Sequence, residues 1–230
     1  MNFDNHRTSA GIAQVVCAPL LLAAVELFHP HPHDLLNIDV PIWLFVHFAQ
    51  IPLFPLSALT VTALVRGSAG WVAGLCRAAM FVFAVSFTAF DTAAGVVTGI
   101  LVRAAHASGR PEVWRGPIDT IWTYPIMGGG LRFDQVPSLA VLGSLALPVG
   151  TVAAAAVLKR MGSPWFPVVL LAFSGFGITL FNTHAWPGGP LTFGALALAA
   201  GWLRWQGRDD SGHAGTAIRV AGSRVLPPGL

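Results

Sequence analysis

The sequence predicts an all-α, polytopic integral membrane protein, a six-helix transmembrane bundle with both termini in the cytoplasm. Three observations carry that expectation. Hydrophobic residues make up 54% of the 230 positions and charged residues only 10%, whereas soluble domains carry roughly 25% charged residues. Apolar runs recur that match the stretch of about 20 residues needed to cross roughly 30 Å of hydrocarbon as a helix. Arginines and the single lysine, Lys159, concentrate in alternate connections between those runs.

The first run, residues 10–28, follows a polar start with Arg7 and resembles a secretory leader in outline. It ends without a small-x-small cleavage site, and a bulky valine precedes Cys17 where lipoprotein processing favours small residues, so it is read as a membrane helix. The second run is 40–65, the third 71–102, the fourth 136–158, the fifth 164–183 and the sixth 190–205. The third exceeds one plain span, which predicts either an early part lying at the headgroups near Arg77 or a strong tilt. Residues 1–205 then form a single membrane domain. The tail, 206–230, combines Gly, Pro and charge without apolar periodicity and is expected to be a disordered cytoplasmic extension.

With the N-terminus inside, Arg7, Arg66, Arg77, Lys159, Arg160, Arg204, Arg208, Arg219 and Arg224 fall on the cytoplasmic side. Outside lie Arg103, Arg110, Arg115 and Arg132, all in one long connection, and the other two outer connections carry no Lys or Arg. Trp43, Trp71, Trp165, Trp186, Trp202 and Trp205 stand at helix ends, where indole favours the headgroup level. In the long connection, Pro117 to Trp122 reads as a short surface helix with Pro at its first position, closed by Gly128-Gly129-Gly130.

Composition also excludes functions. The basic residues are scattered at helix ends, so nucleic acid is not an expected partner; the lipid bilayer is, with a second copy or another membrane subunit as further partners. Cys17 and Cys76 lack zinc-type spacing. No phosphate loop, dinucleotide fingerprint, His-Glu-x-x-His or nucleophile elbow occurs. Abundant Ala, Gly and Arg suit a GC-rich bacterial coding sequence, and the expected location is the bacterial inner membrane.

Ionisable groups in membrane spans are expensive and therefore point to function. Glu26, His47 and Asp91 are such groups, and His29, His31, His33 and His184 stand at outer helix ends. Glu26 and His29 share a helix face at a spacing that presents two metal ligands in bundle proteins. No second Glu-x-x-His exists; the nearest echo is His47-x-x-Gln50. His29-Pro30-His31-Pro32-His33 alternates imidazole with proline, read either as a metal-capturing strap or as a stiff solvated loop.

His47, Gln50 and Ser57 form a polar stripe, and Pro52 and Pro55 free nearby carbonyls, which is tolerated only against protein or a watered cavity. Asp91 shares a face with Thr88, Gly95 and Thr98 at helical spacing and is placed to meet hydroxyls or His47. Gly95-x-x-x-Gly99 marks a close helix contact. Pro19 and Pro148 mark kinks that free the carbonyls of Val15 and Ser144. The candidate site is therefore Glu26, His29, His47, Gln50, Asp91 and His184 in the extracytoplasmic half, with Glu26, His29 and His47 as metal ligands. A transition metal or haem is the expected cofactor, or the group relays protons in redox chemistry. A non-catalytic membrane scaffold and a small proton-coupled transporter are the alternatives.

Overall fold

A computed structural model describes residues 3–126 and 138–222, with side chains from 15 to 126 and from 138 to 206. The described residues contain helices and no strand. Helix α1 spans Phe3–Glu26 and α2 Val40–Leu64; α3, Trp71–Phe90, runs on through a π-helical segment, Asp91–Val97, into α4, Thr98–Ala107. A 3-10 turn, Pro111–Trp114, leads into α5, Arg115–Trp122. Then come α6 (Leu139–Arg160), α7 (Trp165–Ser174), α8 (Gly177–Phe181) and α9 (Gly188–Gly222).

Three helical stretches are long and apolar enough to cross a membrane: Val40–Leu64, Trp71–Ala107 and Leu139–Arg160, with mean hydropathies of 1.6, 1.8 and 2.1. Val15–Glu26 and Trp165–Ser174 are apolar but shorter. The burial pattern also suits lipid. Phe45, Phe48, Leu56, Leu59, Phe81, Phe173 and Leu198 face outward, while Glu26, His47, Gln50, Ser57, Asp91 and Thr151 face inward. In water such an exposed apolar surface would drive association; in a bilayer it is solvated, and the polar groups take partners inside.

The long helices close a ring, α1 against α2, α2 against α3, α3 against α6, α6 against α7, α7 against α9 and α9 back against α1. Phe54, Phe83, Phe87 and Phe193 fill its middle, with Phe54 and Phe87 centroids 5.0 Å apart and Phe83 and Phe87 5.1 Å apart, separations typical of tilted aromatic packing. Gly143 and Gly150, two turns apart on α6, admit the side chains of Phe87 and Met80, which a Cβ at either glycine would strike. Small residues thus bring α3 and α6 into close contact.

Several sequence expectations change in detail. The third run is continuous from Trp71 to Ala107, but its middle is π-helical. The fifth run divides at Gly175, where an added Cβ would meet the Pro148 backbone (2.6 Å to Cα). The Ser144 carbonyl expected to be freed by Pro148 accepts from the Thr179 hydroxyl at 3.0 Å. Pro117 sits in the first turn of α5 rather than at its first position. Helix α9 continues past Trp205 to Gly222, whereas composition alone suggests disorder from residue 206. The Gly128-Gly129-Gly130 stop, Arg132, and residues 223–230 of the tail lie outside the described residues.

Candidate metal centre

Glu26 is the last residue of α1 and is fully buried. Its Oε1 accepts from Gln50 Nε2 on α2 at 2.8 Å, while Oε2 is buried with no partner. The polar stripe of α2 points inward as a unit, with His47 at 3% exposure, Gln50 at 0% and Ser57 at 1%. Pro52 and Pro55 lie inside the same helix without ending it.

Beyond α1 the chain turns through the histidine and proline strap. His29 Nδ1 lies 2.9 Å from the Pro30 carbonyl oxygen; a carbonyl only accepts, so Nδ1 carries the proton and donates. The lone pair is left on Nε2, which is buried and unpartnered. Burial pushes the His29 pKa down to about 3, with the neighbouring His47 adding to the effect. The ring is therefore neutral, the form that binds metals. His31 and His33 are exposed. Asp34 anchors the strap's far end by accepting from both Arg115 terminal nitrogens at 2.9 and 3.0 Å and by capping the turn at Leu36. That guanidinium, with the Leu36 N–H, holds the Asp34 carboxyl below the usual carboxylate range.

His184 arrives from the far end of the sequence, in the connection between α8 and α9. Its ring stands edge-on to His29, centroids 4.8 Å apart, and packs against Phe87 and Phe90. Its Nε2 is also buried and unpartnered, and burial, reinforced by His29, pushes its pKa well below the ordinary imidazole value. Gly189 lets this turn approach, because a Cβ there would overlap the His184 carbonyl and come within 2.9 Å of Glu26 Cγ. One ligand atom from each of Glu26, His29 and His184 lies within 4.8 Å of those of the other two.

The other candidates form an adjoining layer. His47 stacks on Trp43 at 4.4 Å and lies 4.9 Å from His29 between centroids. Its Nδ1 donates to the Trp43 carbonyl at 2.6 Å. Asp91 opens the π-helical segment, 1% exposed, with Oδ1 3.8 Å from His47 Nε2. Thr88 and Thr98, its expected hydroxyl partners, leave their own oxygens unpaired. The π turn sends the Gly95 carbonyl toward α2, where Trp43 Nε1 donates to it at 2.7 Å. Gly95 also makes room for the His47 ring, and Gly99 for Leu44 and Trp43.

Sequence reasoning overlooked Trp43. It stands at the start of α2, which suggested the headgroup level, yet it is 1% exposed with its N–H held in the bundle. Its position four residues before His47, on the same helix face, is the signal that was available.

Above His29 and His184 opens a cavity of about 350 Å³, walled by Trp43, Phe87, Phe90 and Trp122 and rimmed by His31 and His33. Comparison of the chain with protein-family models, with curated proteins and with solved structures gives no match. The functional reading therefore rests on the site itself.

Proposed function

We propose that the chain is a multi-pass protein of a bacterial inner membrane whose extracytoplasmic half binds a divalent transition metal through Glu26, His29 and His184. Gln50 orients the carboxylate, and His47 and Asp91 flank the ion. In this reading residues 1–205 are one membrane domain of six spans, α1, α2, α3 with its continuation, α6, the broken pair α7 and α8, and the first part of α9, with both termini in the cytoplasm. The basic residues at the Arg66, Lys159 and Arg204 ends support that orientation.

The observation that carries the proposal is the convergence of Glu26 and His29, at the end of α1, with His184, from the connection before α9, each of which has a buried ligand atom without a partner. Buried polar atoms are ordinarily paired, and two neutral imidazoles with one carboxylate form a ligand set used for zinc and for non-haem iron. Three protein ligands leave a coordination position for water or substrate, and two of the three, His29 and His184, line the cavity. Haem fits less well, since imidazole rings with centroids 4.8 Å apart and edge-on leave no space for a macrocycle between them.

The test is metal analysis of untagged, detergent-purified protein, followed by zinc titration after chelator treatment. Wild type should hold stoichiometric metal, and Glu26→Gln and His184→Ala should lose it while remaining folded. Metal-free wild type that also fails to take up zinc would remove the proposal and leave a scaffold or a proton-coupled carrier as the better reading.

A further inference from the structure

His47 and Asp91 remain unexplained by a single ion. Among the described residues the convergent group is Glu26, His29 and His184; His47 and Asp91 fall outside it. Both are nonetheless buried, at 3% and 1% exposure. His47 Nε2 and Asp91 Oδ1 are 3.8 Å apart, too far for a hydrogen bond, and neither Asp91 oxygen has any partner.

We propose that His47 and Asp91 form a second cation position beside the first, so that the loaded protein holds a pair of divalent transition-metal ions. This rests on the metal reading above. Because Nδ1 of His47 donates to the Trp43 carbonyl, its Nε2 lone pair faces Asp91. Two bonds of about 2.1 Å meeting at a tetrahedral angle place N and O about 3.4 Å apart. The observed gap is a few tenths of an ångström wider, so an ion there draws the two side chains slightly together. His29, a ligand of the first position, and His47, a ligand of the second, are neighbouring rings with centroids 4.9 Å apart.

The surrounding structure suits this use. The π-helical segment begins at Asp91, and π-bulges concentrate at functional sites. Glu26 and Asp91 supply two of the negative charges that two divalent ions require in apolar surroundings. The cavity is lined by His29 and His184 of the first position, and water or a small anion entering there would supply the rest. Paired metal ions stabilise both the attacking and the leaving oxygen of an in-line displacement, so the class of ligand expected at the pair is a small oxyanion or ester.

The experiment is zinc titration of chelator-stripped, untagged full-length protein, in wild type and in a His31→Ala/His33→Ala background that removes the exposed strap histidines. Two equivalents should bind in both. Asp91→Asn and His47→Gln should each reduce the count to one. Cobalt titration keeps the test sound if either variant folds poorly, because in wild type the ligand-field bands of the second equivalent should differ from those of the first. A single equivalent in wild type, with Asp91→Asn unchanged, overturns the second position and leaves the first intact. No binding at all overturns both.

Discussion

Gln50→Leu separates the orientation of a ligand from its presence. Gln50 Nε2 donates to Glu26 Oε1 at 2.8 Å, and both residues are fully buried. A hydrogen bond to a charged acceptor contributes about 1.5–3 kcal/mol, and 1.36 kcal/mol corresponds to a tenfold change. If the bond serves to aim Oε2 at the ion, zinc affinity should fall roughly 10- to 150-fold, in line with the 10- to 100-fold typical of groups that orient metal ligands. Stoichiometry at saturating zinc should be unchanged. Leucine leaves Glu26 Oε1 without its donor but also removes the unpaired Gln50 Oε1, so the metal-free protein should lose no more than about 1–3 kcal/mol of stability. Competition against a chromophoric chelator measures the first quantity and thermal unfolding in detergent the second. An affinity within threefold of wild type, with the protein folded, would refute the assignment of Glu26 as a ligand held by Gln50.

Further outcomes follow from the same contacts. Gly95→Ala drives a methyl group into the His47 ring, so it should lower stability by about 1–3 kcal/mol, as overpacking does; Gly99→Ala should cost less because its nearest neighbours, side-chain atoms of Leu44 and Trp43, stand farther off, at 2.7 Å. Thr179→Val strips the Ser144 carbonyl of its partner and should cost about 1–3 kcal/mol in unfolding without changing metal content. Zinc at 100 times its dissociation constant should stabilise the protein by about 2.7 kcal/mol, and a chelator should reverse the shift. Asp34 has a lowered pKa in the folded chain, so its tie to Arg115 is fully present above the ordinary carboxylate value and is lost as pH falls through the lowered one. Hydrogen exchange at Leu36 and Asn37 should accordingly be flat from pH 7 to 5, after correction for intrinsic rates, and should quicken only at more acidic pH.

Residues that act through their own chemistry were legible in the sequence, and residues that act through another helix were not. Pro148 can be read to free the Ser144 carbonyl, because that consequence stays within one turn; which hydroxyl answers it depends on the break at Gly175 that brings Thr179 across. The inward stripe of His47, Gln50 and Ser57 follows from helical period alone. The π segment does not, since one widened turn leaves no mark in composition, and it is this segment that turns the Gly95 carbonyl toward Trp43. His184 illustrates the limit most sharply. It was recognisable as an outer histidine, but its convergence with Glu26 requires α9 to close the ring against α1, a contact between apolar helices whose neighbours periodicity cannot name. Gly189, in the first turn of α9, is where that closure is decided. Any side chain there would strike the His184 carbonyl and crowd Glu26, so Gly189→Ala should disturb the proposed metal centre although Gly189 offers no ligand of its own.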